Sequence, residues 1–329
     1  MLNMEKGMFA KTIARSLAVA ACLFALSACD DKKADEPQQA SQSSAEQAEI
    51  TKYNSYIEAA NMSSSSFGEQ LEQYKKYIAP AFSGEKSRSD LFFPGSDTTI
   101  PRVKDLLDKA HAMEPAMKDL DDSATRYSEA LGQAEPVNRE LYNYINSKTY
   151  KSDNGDKGRE LQPKFISAME KLVVAQADFL NAIDKKDRER IKAEYEKTPK
   201  DTAAYYRIGS IYYLKESMDA ASGFINGEGL GDKKDAFKKS LDQFNDALTA
   251  YDAKMRESNK KGCSSLIFTA NSYLSTGRDV ISHTEDGTYE KEANEPKQFH
   301  MMQSTQGNDV RDLMQHYNNV INAINVGTC

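Results

Sequence analysis

From residue 50 onward, apolar side chains recur at alternating steps of three and four. Tyr53, Ile57 and Ala60 lead through Ser64 to Phe67, Leu71, Tyr74 and Ile78. The rule repeats in five further stretches: Val103 to Leu131, Leu161 to Ala182, Phe237 to Met255, Leu266 to Val280 and Val310 to Ile324. A mean step of about 3.5 residues places each set on one stripe of a helix. Helices with such seams pack nearly antiparallel with a left-handed twist. No stretch alternates with period two over β-branched residues. The pattern predicts an all-α, antiparallel bundle of about six to eight helices with negligible strand.

Breaks punctuate the seams. Ser83 to Thr99, with Gly84, Pro94 and Gly95, connects the first two predicted helices. Pro101 suits a first helical turn. Pro115 falls within a seam and predicts a kink, and Pro136 restarts a short helix through Tyr150. Ser152 to Gly158 reads as a turn. Thr198 is the expected cap of a helix beginning at Pro199, with Asp201 three residues on. Gly227, Gly229 and Gly231 end one helix before Asp232 caps the next, Gly287 to Pro296 is a loop, and Gly327 ends the last helix. Pro199 marks a candidate sub-domain boundary, although the seams favour one continuous body.

The first residues obey another pattern. Lys6, Lys11 and Arg15 precede an apolar run, Ser16 to Leu26, of 11 residues. That is the length of a signal-peptide core and too short to span a bilayer. Leu26-Ser27-Ala28-Cys29 then reads as a bacterial lipobox, in which cleavage before Cys29 frees the thiol for lipidation. Acyl chains on Cys29 would make the lipid bilayer the first partner, because each buried methylene adds about 0.8 kcal/mol. Asp30 and Asp31 resemble an inner-membrane retention signal, so the periplasmic face of the inner membrane is favoured over the outer membrane. Asp30 to Glu49 is polar, contains Pro37 and buries too little to fold alone. The expected organisation is a signal peptide over 1–28, a lipidated tether over 29–49 and a helical body over 50–329.

The chain has 329 residues, four cysteines and a net charge of −7. The leader holds three basic residues against Glu5, so the chain from Cys29 onward is more acidic still. An acidic, intermixed surface argues against nucleic acid as a partner. Cys22 lies in the leader and Cys29 is the acylation site, which leaves Cys263 and Cys329. In an oxidising compartment these form a structural bridge, free thiols or a redox centre. With no CxxC motif present, the bridge is the preferred reading.

A helical phrase recurs: aromatic, Asn, two residues, aliphatic, one residue, Ala, one residue, Asn or Asp. Tyr53 to Asn61 opens the body with it, Tyr317 to Asn325 closes it, and Phe244 to Asp252 is a looser copy. Positions 0, 3, 4 and 7 share an apolar face, and the flanking amides could bond across to a neighbouring helix. Together with the leader, the Cys29-Asp30-Asp31-Lys32-Lys33 junction and the low-complexity tether, these phrases resemble the YiiG family of bacterial lipoproteins. The resemblance implies a helical, periplasm-facing lipoprotein with a domain of unknown function and supplies no catalytic residues.

Motifs for chemistry are sparse. His111, His283, His300 and His316 lack the spacing of a zinc site. His283, Glu285 and His300 are the weak metal candidates, if the loop between them folds back. Asp153-Asn154-Gly155-Asp156 fails the calcium-loop register. Gly227 to Gly231 lacks the surroundings of a phosphate cradle. Ser258-Asn259-Lys260-Lys261 matches SxxK without its partner motifs. Tyr205, Tyr206, Tyr212 and Tyr213 crowd one helix, covering more than one face. They either pack or line a groove for a sugar or peptide. The chain therefore reads as a non-enzymatic module binding an envelope protein or small ligand, with no cofactor. The alternative is an envelope enzyme or metal-handling protein with a scattered site.

Overall fold

The computed structural model describes residues 44–62, 66–84, 90–258, 261–294, 304–327 and 329. The leader, Cys29, Asp30, Asp31 and His300 lie outside the described residues. Within them the fold is all-α, and no residue is in a strand. No described helix is long and apolar enough to cross a membrane.

The described residues divide into two compact units, 44–185 and 186–329. The seams alone favour one body, and the sequence break at Pro199 marks neither edge. The division falls inside a helix, because one 42-residue helix contributes its first part to one unit and its last to the other.

The first unit contains α1 (Ser44–Asn61), α2 (Phe67–Tyr77), α3 (Ala79–Phe82), α4 (Thr99–His111), α5 (Lys118–Asn146) and most of α6 (Asp156–Lys197). The seam residues are its core. Tyr56, Phe67, Tyr74, Phe165 and Phe179 are fully buried. Their rings interlock: Tyr74 lies 4.6 Å from Phe165, and Tyr56 and Tyr127 lie 5.8 and 5.5 Å from Phe179. Each such side chain stabilises the fold by about 1.5–3 kcal/mol on burial. Phe67 N–H donates to Gln176, and Lys75 pairs with Glu170 further back along α6, so α2 and α6 run antiparallel.

A buried ion pair enters this apolar layer. The Lys52 ammonium is 1% exposed and lies 2.8 Å from Asp121 Oδ1. Asp121 also accepts from the Tyr56 hydroxyl at 2.6 Å and the Met117 N–H at 2.7 Å. Burial pushes the Asp121 pKa up, but the bonds from Lys52, Tyr56 and Met117 outweigh it and hold the carboxyl below its usual range.

The second unit contains the end of α6, α7 (Ala203–Ala220), α8 (Ser222–Ile225), α9 (Lys234–Glu257), α10 (Ser264–Glu285), α11 (Thr288–Asn294) and α12 (Thr305–Val326). Phe237, Leu241, Phe244, Leu266, Tyr273, Leu313, Val320 and Ile324 fill its core. Gly277 lets α10 lie against α9, since a Cβ there would stand 2.7 Å from Leu241 Cδ1. A second buried ion pair sits here: Asp187 is 0% exposed and lies 2.7 Å from Lys215 Nζ. Cys263, at the start of α10, and Cys329, past the end of α12, meet at disulfide distance with Cα atoms 4.4 Å apart. Helices α10 and α12 are therefore antiparallel.

Several local expectations are corrected. Helix α1 begins at Ser44, inside the stretch read as tether, where Ala, Gln and Glu favour helix. The first long seam is two helices, because Ser66 caps a new start by accepting from the Glu69 N–H. Pro115 lies in the connection between α4 and α5 rather than at a kink, as a residue before proline leaves helical geometry readily. Pro136 lies inside continuous α5, where buried Leu131, Ala134, Leu141 and Ile145 carry the helix past one lost hydrogen bond. The cap of α7 is Thr202, not Thr198. Asp232 sits in a short 3-10 turn and does not cap α9. Gly287 to Pro296 contains α11, whose start is held by Asp286 accepting from the Thr288 N–H and hydroxyl.

Replacing Asp121 with Ala strands a buried ammonium, and a loss of about 3–5 kcal/mol in urea unfolding is expected. A double Lys52→Met, Asp121→Leu variant is expected to recover most of it. Because the folded Asp121 pKa is depressed, the pair's contribution is full above about pH 4 and fades as pH falls through the folded value. Disulfide closure between residues 66 apart is expected to contribute about 4 kcal/mol in the chain-entropy model. The midpoint of a Cys263→Ser, Cys329→Ser variant, measured beside the oxidised protein, checks this.

Candidate functional site

The 17 tyrosines divide by environment. Tyr56, Tyr74, Tyr127, Tyr150 and Tyr273 are fully buried core residues. Tyr195, Tyr205, Tyr206, Tyr212 and Tyr213 are half-buried and gather on one surface of the second unit.

Helix geometry explains the gathering. Thr202 turns the chain between α6 and α7, so Tyr195 near the end of α6 folds back against α7. Residues 205 and 212 are seven apart, a separation of two turns or about 10.5 Å. The Tyr195 ring stacks on both: its centroid lies 4.8 Å from Tyr205 at 21° and 5.4 Å from Tyr212 at 19°. Two stacking steps thus fill two helical turns. Gly209, one turn beyond Tyr205, provides the slot, since a Cβ there would stand 2.9 Å from Tyr195 Cε2. Tyr213 meets Tyr195 edge-on at 5.7 Å, and Tyr206 meets Tyr205 edge-on at 5.4 Å.

The hydroxyls form a chain. Tyr195 Oη lies 2.8 Å from Tyr205 Oη and 3.1 Å from Tyr213 Oη. Three hydroxyl protons serve two internal bonds, which leaves one O–H to donate outward. Burial pushes the Tyr195 phenol well above the usual range, and its bonds to Tyr205 and Tyr213 add to the shift. Tyr206 donates to Asp201 Oδ1 at 3.2 Å, and Lys254 pairs with the same oxygen at 3.2 Å. Burial also raises the Tyr212 phenol, with Glu216 and Glu196 close enough to contribute. The result is a pre-ordered aromatic surface with a carboxylate rim.

Of its members, Tyr205, Tyr206, Tyr212 and Tyr213 are visible as a crowd in sequence. Tyr195 and Gly209 are not. The signal for Tyr195 is its place just before a Thr-Pro-Lys-Asp turn, which folds it onto the crowd. The signal for Gly209 is a lone glycine inside a helical pattern, which marks close approach.

The other sequence candidates lie apart from this surface chemistry. His283 Nδ1 bonds Asp309 Oδ2 at 2.8 Å, and the Tyr289 hydroxyl donates to the same oxygen at 2.7 Å. Glu285 is drawn to Lys234 at 2.9 Å instead of joining His283. His300 lies outside the described residues. Among the described residues, no three His, Cys, Asp or Glu side chains gather as metal ligands. In the repeated phrases, Tyr53, Tyr56 and Ile57, and Tyr317, Val320, Ile321 and Ile324, face the cores. Among the described residues, the Asn318 Oδ1 is buried without a hydrogen-bond partner. Asp153 serves a turn, accepting from the Tyr144 hydroxyl and the Gly155 and Lys157 N–H groups.

Gly209→Ala is expected to eject Tyr195 from its slot. The outcome to look for is loss of much of the near-ultraviolet tyrosine dichroism, with destabilisation of about 1–3 kcal/mol and an unchanged helical far-ultraviolet spectrum. Because the folded state resists ionising Tyr195, native stability is also expected to fall as pH climbs above about 10.

The family model described as "Protein of unknown function (DUF3829)" matches residues 47–326, which span both units. The match supports an uncharacterised family but not the narrower YiiG name. No curated protein and no solved structure matches the chain. With a match over most of its length, the chain belongs to the DUF3829 family of proteins of unknown function.

Proposed function

We propose that this protein is a lipid-anchored lipoprotein of the bacterial envelope, related to the YiiG lipoproteins, and acts as a non-enzymatic binding module. Acylated Cys29 holds it on the periplasmic face of the inner membrane, and the helical units reach an envelope protein or small ligand. The observation that carries the reading is the allocation of its four cysteines. Cys22 falls in the leader and Cys29 in the lipobox. Cys263 and Cys329 meet at disulfide distance, an arrangement suited to an oxidising compartment. The half-exposed tyrosine surface supports a binding role, because it holds ordered rings and hydroxyls where a partner can reach them.

Cys29→Ser tests the anchor. With a clickable palmitate analogue, the native protein is expected to take up label and fractionate with membranes. The variant is expected to lose the label and accumulate as unprocessed precursor. A variant still labelled and processed contradicts the reading. Replacing Asp30 and Asp31 with Ser is expected to move the protein from the inner-membrane to the outer-membrane fraction, whereas native protein found wholly in the outer membrane contradicts the sorting assignment.

A further inference from the structure

We propose that Tyr195 and Tyr205 form an oxidative modification site, at which a peroxide-derived one-electron oxidant joins the two rings as dityrosine and fastens α6 covalently to α7. The proposal concerns the chain's own residues and stands apart from the anchor and binding readings.

Geometry selects the pair. Phenoxyl radicals couple through the carbons ortho to the hydroxyl, after a face-to-face approach of the two rings. Most tyrosine pairs in ring contact do not offer that approach: Tyr144 meets Tyr150 at 69° and Tyr273 meets Tyr317 at 57°. Tyr195 is stacked on Tyr205 at 21° and on Tyr212 at 19°. The hydroxyls separate these two. Tyr195 Oη lies 2.8 Å from Tyr205 Oη, which brings the hydroxyl ends of both rings, and the ortho carbons beside them, together. Among the described residues, no hydroxyl bond joins Tyr195 to Tyr212. Tyr213 has such a bond, at 3.1 Å, but its ring is edge-on at 73°. Tyr205 alone meets Tyr195 in both ways.

The surroundings collect and hold the first oxidising event. The five half-buried rings are in contact at 4.8–5.7 Å, so an electron vacancy formed on any of them passes to its neighbours. Tyr195 is its resting place. Its oxygen lies between the Tyr205 and Tyr213 hydroxyls, and either can donate to a phenoxyl oxygen that has lost its own proton. Half-burial lets water take that proton while hindering approach of a second molecule's ring, which favours coupling within the chain.

The chemistry takes two one-electron steps. Tyr195 and Tyr205 each give an electron to the oxidant and a phenol proton to water. The two unpaired electrons form one Cε–Cε bond. Each joined carbon then releases its hydrogen as a proton while the ring oxygen takes one up, and both phenols are restored. The pair has lost two electrons and two protons, which reduce one hydrogen peroxide to two waters. The new bond spans the turn capped by Thr202 and holds the end of α6 on α7.

The test exposes dilute full-length protein, purified in detergent micelles, to equimolar hydrogen peroxide and a haem-peptide peroxidase. Trypsin then separates the candidates, because cleavage after Lys192, Lys197, Lys200, Arg207 and Lys215 places Tyr195 in 193–197, Tyr205 and Tyr206 in 201–207, and Tyr212 and Tyr213 in 208–215. Mass spectrometry is expected to find 193–197 joined to 201–207, lighter by two hydrogens than their sum, together with dityrosine fluorescence. This product is expected to exceed the link from 193–197 to 208–215 several-fold. Tyr205→Phe is expected to abolish it and Tyr206→Phe to retain it, both variants keeping their rings and their helical far-ultraviolet spectrum. Gly209→Ala, which displaces Tyr195, is expected to reduce it several-fold. Protein unfolded in urea is expected to lose the preference. Absence of the link under these conditions overturns the proposal. So does a link that persists in Tyr205→Phe, dityrosine formed only between molecules, or equal yields from folded and unfolded protein. The fate of the Cys29 variant has no bearing on any of these outcomes.

Discussion

Seven residues carry an α-helix through nearly two full turns and about 10.5 Å, and this advance organises the protein at two scales. Along the seams it returns an apolar side chain to the same stripe, so that each helix buries one face against its neighbours. On α7 it returns a tyrosine to the same surface, leaving a gap that one further aromatic ring fills. The same periodicity thus makes the core and the exposed array. They differ in what α6 brings to the interval: Phe165 and Phe179 along the core of the first unit, and the half-exposed Tyr195 at the stack.

Apolar seams are permissive about register, because sliding by one heptad preserves their pattern. A buried charge is not. Lys52 meets Asp121 in the first unit, and Lys215 meets Asp187 in the second, only in one alignment of their helices. Both pairs join residues distant in sequence, so each ties one helix to another at a defined level. Their net stabilisation against an apolar replacement is small. Their effect is to disfavour misaligned packings, in the manner of a polar group at a coiled-coil seam.

Architecture was legible because it rests on periodicity, which a single sequence displays directly. Seam residues such as Leu71, Leu131, Phe165, Leu241 and Val320 are buried in the expected sense. Boundaries were less legible because they are decided by competition. Pro136 opposes helix locally, yet the packing of α5 overrides it. Thr198 and Thr202 are both capable caps four residues apart, and only the backbone shows which one accepts from a free N–H. The tyrosine surface was half legible. Its α7 members crowd together in sequence, but their order depends on Tyr195 from another helix and on Gly209, a residue whose contribution is the absence of a side chain. The two buried ion pairs were illegible, since any of many lysines and aspartates satisfies composition, and nothing local marks the pair that folding brings together.

The central structural claim is that Tyr195 lies between Tyr205 and Tyr212 in the slot above Gly209. Nuclear Overhauser spectroscopy on protein with labelled tyrosine rings and glycine Hα positions, assigned by single Tyr→Phe variants, tests it most directly. The account predicts cross-peaks from the Tyr195 ring to both the Tyr205 and Tyr212 rings and to the Gly209 Hα protons. A Tyr195 ring that shows contact with only one of its two neighbours, or none with Gly209, contradicts the account.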